Sequence, residues 1–211
     1  MKELPSDVKL VAVSKFHPLT DILSAYQAGQ RRFGENRPQE FRLKALQLPQ
    51  DIEWHFIGHL QTNKIKMVLP YASLVESIDS IHLLEQVQLW GESSARTVNV
   101  LLELHLGAES TKGGLSGEEI ESILSDASGK YPNIRFCGLM GMATNTDDEA
   151  VVEADFERIS QFKRRLDELF PDLHDFKELS IGMSHDWRIA LRYGATIVRI
   201  GTAIFGERKP L

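Results

Sequence analysis

Short apolar runs alternate with segments of helical periodicity along the whole chain. The runs are rich in Val, Ile, Leu or Phe and are bounded by Gly, Pro or polar residues, which is typical of buried strands. This alternation predicts a parallel sheet with crossover helices. Eight strands are predicted, at Lys9–Lys15, Arg32–Asn36, Glu53–Gly58, Leu74–Asp79, Val98–Leu106, Ile134–Ala143, Lys177–Gly182 and Thr196–Phe205.

Helical segments fill the gaps between these strands. Gly29 follows one helix-period segment as a predicted stop. Ser116 with Glu119, and Thr146 with Glu149, have the spacing of a capping box, so a helix is predicted to start at each pair.

Eight strand-helix units without a linker or low-complexity stretch predict one domain over residues 1–211. The predicted fold class is α/β, a single-domain (β/α)₈ (TIM) barrel with short loops. A doubly wound open sheet is the alternative. It would need a Gly-rich dinucleotide turn or another switch-point site, whereas the first strand is followed by Phe16-His17-Pro18, so the barrel is favoured.

Composition narrows the class of protein. Hydrophobic content of 42% and charged content of 26% are ordinary for a globular protein, and a formal charge of −6 without a long basic stripe gives no expectation of nucleic acid as a partner. No apolar stretch is long enough to span a bilayer, and no basic-then-apolar leader begins the sequence. The single cysteine, Cys137, cannot form an internal disulfide. We therefore expect a cytoplasmic protein without a membrane partner, and a monomer.

Lys15 stands where the first apolar run ends. The carboxyl end of a buried strand faces the rim on which barrels build their sites, and partial burial favours the neutral, nucleophilic form of an amine. Lys15 therefore has the placement of a Schiff-base lysine. A solvated lysine that merely caps the strand is the other interpretation.

The loops after the seventh and eighth strands commonly hold phosphate in this fold. Ser184, Gly201 and Thr202 lie there and offer two hydroxyls and a close backbone approach. An amine on one side of the mouth and a phosphate cradle on the other fit pyridoxal 5′-phosphate, whose pyridine nitrogen takes an Asp or Arg partner. Arg199 can be that partner, because it shares a strand face with Gly201; a structural ion pair inside the barrel is its alternative role.

Six stretches of sequence, in order and covering nearly the whole chain, resemble the YggS/PROSC family of pyridoxal-phosphate homeostasis proteins. They are Ala12-Val13-Ser14-Lys15, Phe33-Gly34-Glu35-Asn36, Trp54-His55-Phe56-Ile57-Gly58 with Leu60-Gln61 and Asn63-Lys64, Gly138-Leu139-Met140, Gly182-Met183-Ser184 with Asp186, and Val198 to Gly206.

The resemblance implies the barrel of the alanine racemase N-terminal domain, with pyridoxal 5′-phosphate as cofactor. It implies that Lys15 carries the internal aldimine, that Asn36 lines the cofactor and that Arg199 faces the pyridine nitrogen. It also implies that the phosphate is held by Met183 through its backbone, Ser184, Gly201 and Thr202. No metal site and no catalytic residue are predicted.

The predicted function is a non-enzymatic protein of pyridoxal phosphate homeostasis, which buffers the cofactor on Lys15 and delivers it to acceptor enzymes, with amino acids as further small-molecule partners. A pyridoxal-dependent amino-acid racemase is the main alternative. It is disfavoured because a guanidinium at the ring nitrogen weakens the cofactor as an electron sink, and because the sequence ends soon after the eighth strand, without the β domain that supplies alanine racemase with a second base. A phosphosugar enzyme that uses Lys15 without a cofactor is a third reading.

Overall fold

Eight parallel strands close into a barrel in chain order. The structure, a computed structural model, describes residues 4–106 and 113–206. The first and last strands close the barrel, with Lys9 opposite Ile197 and Ala12 opposite Ile200. The predicted (β/α)₈ class is thereby confirmed. The strands are β1 (Lys9–Val13), β2 (Arg32–Glu35), β3 (Glu53–Phe56), β4 (Leu74–Ile78), β5 (Val98–Glu103), β6 (Ile134–Met140), β7 (Glu178–Ser180) and β8 (Ile197–Ile200).

Helices surround the strands and connect them. They are α1 (Leu19–Gln27), α2 (Pro38–Gln47), α3 (Ile65–Val68), α4 (Ile81–Ser94), α5 (Gly117–Ser125), α6 (Ala127–Lys130), α7 (Glu149–Leu169), α8 (Trp187–Arg192) and α9 (Thr202–Phe205), with a 3₁₀ turn at Thr62–Lys64 before α3. Within residues 4–106 and 113–206, none of the helices combines the length and the apolar character needed to cross a membrane.

Local signals explain where several helices begin and end. The predicted capping box of Ser116 and Glu119 is present at the start of α5, and Gly29, with a φ of 99°, follows the end of α1 as expected. The predicted box at Thr146 is wrong. Asp148 is the N-cap of α7 and accepts a hydrogen bond from the N–H of Ala150, because a carboxylate directly before the helix caps it as well as a hydroxyl would.

All eight strands end earlier than their apolar runs predict. The largest difference is at β8, which ends at Ile200, whereas Thr202–Phe205 forms the single turn α9. The run stays apolar there because Ile204 and Phe205, which are partly buried, pack against the hydrophobic core, and a short apolar helical turn cannot be distinguished from a strand by hydrophobicity alone. Thr202 therefore lies in a helical turn at the barrel mouth.

The core has two layers. Val11, Leu74, Leu101, Met140 and Ile197 form a small cluster inside the barrel, while alternate strand residues pack outward against the helices. Side chains two positions further along a strand point to the same face. Glu103 and Arg199 follow members of the inner cluster by two residues, so both project into the barrel near its carboxyl end.

Candidate functional site

A cavity of about 140 Å³ lies at the carboxyl-terminal mouth of the barrel. Six of the seven site residues predicted from sequence line it: Lys15, Met183, Ser184, Arg199, Gly201 and Thr202. The rest of its wall comes from Val13, His17, Ile57, Met142 and Gly206. An amine, a guanidinium and two hydroxyls thus meet at one cavity. This is expected because the carboxyl ends of parallel strands in a closed barrel converge at the same mouth.

Lys15 is displayed by a tight turn directly after β1. The N–H of His17 donates to the carbonyl of Ser14 at 3.1 Å, which closes a β-turn with Lys15 and Phe16 at its centre. Ser14 is fully buried and Lys15 is half-buried. The amine therefore belongs to the wall of the mouth cavity, at the boundary between the core and solvent.

Hydroxyls and backbone N–H groups gather on the side of the cavity formed after β7 and β8. The N–H of Gly201 donates to Oγ of Ser184 at 3.2 Å, which leaves the hydroxyl hydrogen of Ser184 available to an acceptor. Thr202 is the first residue of α9. The N–H of Met183 donates to Oδ1 of Asp186 at 2.5 Å, so this donor is engaged within its own loop. A role for the Met183 N–H toward a phosphate requires Asp186 to release it.

Arg199 is almost fully buried and is fixed from three directions. Its Nη1 donates to the carbonyl and to Oγ of Ser180, at 2.9 and 2.6 Å, and its Nη2 donates to the carbonyl of Gly141 at 3.0 Å. Nη1 also lies 3.6 Å from Oε2 of Glu76. Both roles considered for Arg199 are thus compatible, since the guanidinium makes a structural ion pair below the mouth and also lines the cavity.

Glu76 anchors this buried network from β4. Its carboxylate accepts from Oγ of Ser180 and pairs with Nδ1 of His55 at 2.5 Å. Burial by itself raises the pKa of Glu76, but the hydrogen bond and charge of His55, the charge of Arg199 and the hydroxyl of Ser180 outweigh burial and hold the pKa below its usual range. Glu76 is therefore a carboxylate, and Arg199 keeps a charged partner inside the barrel.

Asn36, the seventh predicted residue, is not part of the cavity wall. It follows β2 beside Gly58, where an added Cβ would lie 2.4 Å from the carbonyl oxygen of Asn36, so only glycine allows this approach. Oδ1 of Asn36 is buried and has no hydrogen-bond partner among the described residues. A buried amide oxygen without a donor is uncommon in folded proteins. That Asn36 lines the cofactor stays a prediction.

A group of titratable side chains that the sequence reading missed lies across the mouth, after β4 and β5. Burial first, and then the charge of Asp79, raises the pKa of Glu103 to about 7, against the opposing charges of Arg199, His59 and His105. Glu103 directly follows Leu101 and Leu102 in β5, so a carboxylate after apolar residues was the available signal. Burial raises the pKa of the Cys137 thiol to about 11, so this thiol is a poor nucleophile at neutral pH.

A larger cavity, of about 410 Å³, opens at the opposite end of the barrel. Its rim carries three ion pairs: Lys9 with Glu178, Arg32 with Glu53 and Arg135 with Asp175. These charges neutralise one another, and this cavity contains none of the predicted site residues. Among the residues that the structure describes, no group of three or more His, Cys, Asp or Glu side chains is placed to hold a metal ion.

Comparison with known proteins defines first a class and then a family. Residues 1–209 match the family model described as alanine racemase, N-terminal domain. Alanine racemase from Corynebacterium glutamicum has the same fold, with a TM-score of 0.70, 16% identity, and coverage of 98% of this chain and 58% of the racemase. PipY from Synechococcus elongatus, solved with PLP bound, is more similar, with a TM-score of 0.89, 35% identity, and coverage of 97% of this chain and 95% of PipY.

Curated relatives carry a common name. A protein from Aquifex aeolicus is 38% identical over 95% of this chain and 87% of its own length, and a human protein is 37% identical over 98% of this chain and 79% of its own. Both are called pyridoxal phosphate homeostasis protein. The chain belongs to this family of pyridoxal phosphate homeostasis proteins, as its sequence motifs predicted.

Proposed function

We propose that this protein binds pyridoxal 5′-phosphate at the barrel mouth, with residues 1–211 acting as one cofactor-binding domain, and that it stores and releases the cofactor rather than catalysing a reaction of its own. The observation that carries the proposal is the convergence of Lys15, Arg199 and the Ser184 and Thr202 hydroxyls on one cavity. The names of the relatives and the PLP-bound PipY structure support the same cofactor.

The residues present fit the chemistry of the cofactor. Ser184, Gly201 and Thr202 supply hydroxyl and backbone donors for a phosphate, and Arg199 supplies a fixed N–H donor for a ring nitrogen. Asn36 adds a buried oxygen that lacks a donor. Bound there, the cofactor supplies an aldehyde, which a primary amine attacks reversibly with loss of one water molecule. Lys15 is the amine that the cavity wall provides.

Arg199 favours storage over catalysis. Its guanidinium stays charged at all physiological pH values and is held in place by Ser180 and Gly141. A donor that keeps its proton disfavours protonation of the ring nitrogen, which weakens the electron sink that racemases and decarboxylases need. An amino acid that replaced Lys15 on the cofactor would therefore keep its α-proton, and Lys15 would be released as a free amine.

The proposal extends to partners and compartment. Free amino acids carry the same primary amine as Lys15 and can displace it, and acceptor enzymes receive the cofactor. The single cysteine, Cys137, gives no internal disulfide, which is usual for cytoplasmic proteins. A monomeric state is part of the proposal.

The test combines a spectrum, a label and an exchange assay. Wild-type protein incubated with the cofactor should show a new visible absorption band, and borohydride reduction followed by peptide mapping should place the label on Lys15. Label on Lys64 would overturn the assignment, as would label on Lys112, which lies outside the described residues. Exchange of the α-proton of alanine in deuterated water should be no faster than with free cofactor. Rapid, stereospecific exchange with turnover would replace storage by racemisation.

A further inference from the structure

The turn that displays Lys15 has an unfavourable backbone conformation. Phe16 has a φ of 69°, in the left-handed region that bulky residues avoid. With the hydrogen bond from His17 N–H to Ser14, Phe16 occupies the turn position at which glycine or asparagine is preferred. A phenylalanine persists in this conformation only where neighbouring groups hold it.

Two side chains of α2 hold the backbone on both sides of Lys15. Oε1 of Glu40 accepts from the N–H of Phe16 at 2.7 Å, and Nζ of Lys44 donates to the carbonyl of Ser14 at 2.8 Å. Lys15 thus lies between two residues whose peptide groups are fixed by a neighbouring strand-helix unit rather than by its own.

A buried charge cluster locks these two side chains together. Nζ of Lys44, which is 3% exposed, donates also to Oε1 of Glu40 at 2.6 Å and to Oε1 of Glu35 at 2.8 Å. With the bond to Ser14, all three ammonium hydrogens are used. Oγ of Ser14 donates to the same oxygen of Glu35 at 2.5 Å. The cluster therefore has one defined arrangement.

The cluster is poorly explained as a source of stability alone. Oε2 of Glu35 is buried without a hydrogen-bond partner among the described residues, and burial raises the pKa of Glu35 to about 7 despite the opposing charge of Lys44. Buried ion pairs of this kind are often replaceable by apolar residues without loss of stability. Both of its links to the backbone fall on the neighbours of Lys15.

We propose that Lys44 and Glu40 are positioning residues. They hold Phe16 in its left-handed backbone conformation within the Ser14–His17 turn, so that Lys15 projects into the mouth cavity. The part of this inference that concerns the cofactor rests on the proposed function. The part that concerns the turn does not, and it can be measured in cofactor-free protein.

The first experiment measures amide hydrogen exchange by NMR in the full, cofactor-free chain. Glu40→Ala removes the acceptor of the Phe16 N–H, and the exchange of that amide should rise about tenfold or more, because a hydrogen bond to a charged group is lost. Glu40→Gln keeps an oxygen acceptor and should preserve most of the protection. The amide of Leu102 in β5 reports global opening and should not change in step with Phe16.

The second experiment separates the covalent attachment of the cofactor to Lys15 from the non-covalent binding of its ring and phosphate. Lys44→Met should lower the affinity for pyridoxal 5′-phosphate about tenfold or more, while the affinity for pyridoxine 5′-phosphate, which has the ring and the phosphate but no aldehyde, stays close to that of wild type. Lys163→Met is the matched control. Lys163 is a buried lysine of α7 that also pairs with a carboxylate one helical turn away, Asp167, and its replacement should leave both affinities unchanged.

Each outcome decides the inference. Unchanged exchange at Phe16 in Glu40→Ala would overturn it, as would an equal loss of affinity for both ligands in Lys44→Met, since a merely structural role lowers both together. If wild-type protein bound neither ligand, the proposed function would fail, and the exchange comparison would still decide whether α2 holds the Lys15 turn.

Discussion

The two ends of the barrel each carry a cavity, and they differ in how their polar groups are matched. The amino-terminal cavity is the larger, at about 410 Å³, but six of its rim charges form three ion pairs on the surface. The carboxyl-terminal cavity is about 140 Å³, and its surroundings include a buried amide oxygen without a donor and a carboxyl with a raised pKa. Unmatched polar groups, rather than volume, distinguish the end that is prepared for a ligand.

The largest difference between the two ends is expected from their lysines. Lys15→Ala should abolish the covalent attachment of pyridoxal 5′-phosphate and its visible band, because it removes the only amine that the described residues place in the wall of the mouth cavity. Lys9→Ala, at the opposite rim, should leave the band unchanged. Titration of each variant, followed at the wavelength of the wild-type band, provides the measurement. An absorption band of full height in Lys15→Ala would show that the cofactor is attached to a residue other than Lys15.

The next largest difference concerns stability. Arg199→Met leaves Glu76 and Ser180 inside the barrel without their guanidinium, and breaking such a buried pair typically costs about 3–5 kcal/mol of unfolding free energy. Arg32→Met breaks a half-exposed pair with Glu53 at the other end and should cost about 1 kcal/mol or less. Urea unfolding of the cofactor-free variants compares the two. Equal losses would contradict the contrast between buried and exposed pairs.

Hydroxyl groups should contribute to cofactor affinity only at the carboxyl-terminal mouth of the barrel. The double variant Ser184→Ala with Thr202→Ala removes two donors to a charged phosphate, worth about 1.5–3 kcal/mol each, so the affinity for the cofactor should fall roughly a hundredfold or more. Ser73→Ala, in the wall of the amino-terminal cavity, should not change the affinity. Equilibrium dialysis measures both. An unchanged affinity in the double variant would remove the phosphate from this side of the mouth.

The smallest expected effect is a pH dependence of stability. The pKa of Glu35 and the pKa of Glu103 are both raised to about 7 in the folded protein, from 4.5. Between pH 4.5 and 7 the folded state therefore binds more protons than the unfolded state, and stability declines as pH rises through this window. Glu35→Gln should make the decline shallower, by at most about 1.4 kcal/mol per pH unit. An unchanged slope would mean that folding does not raise the pKa of Glu35.

Much of the mouth could be predicted because it depends on where strands end. Lys15, Ser184 and Arg199 each stand at or near the carboxyl end of an apolar run, and a closed parallel barrel brings such positions together. The prediction did not require the exact strand boundaries. Thr202 lines the cavity as expected although it belongs to α9 and not to the predicted eighth strand.

The buried polar contacts that hold the site residues in place could not be predicted in the same way. Lys44 lies on the buried stripe of α2 with Phe41, Ala45 and Leu48, at helical spacing, so its presence on an apolar face was a signal. Its partners Glu35 and Ser14 come from two other elements, and only the closed fold shows that they meet. Glu76 and His55 were likewise hidden within strands, since pairing across the barrel interior leaves no mark in the local sequence.

The chain of contacts from His55 through Glu76 and Ser180 to Arg199 joins residues of four strands, β3, β4, β7 and β8. His55 borders the amino-terminal cavity and Arg199 borders the mouth. A redesign of the mouth therefore has to change all four of these residues together. A single exchange at Arg199 leaves a buried carboxylate behind, whereas a library that varies all four positions together can replace the whole chain of contacts with a packed apolar interior and recover barrels that fold without it.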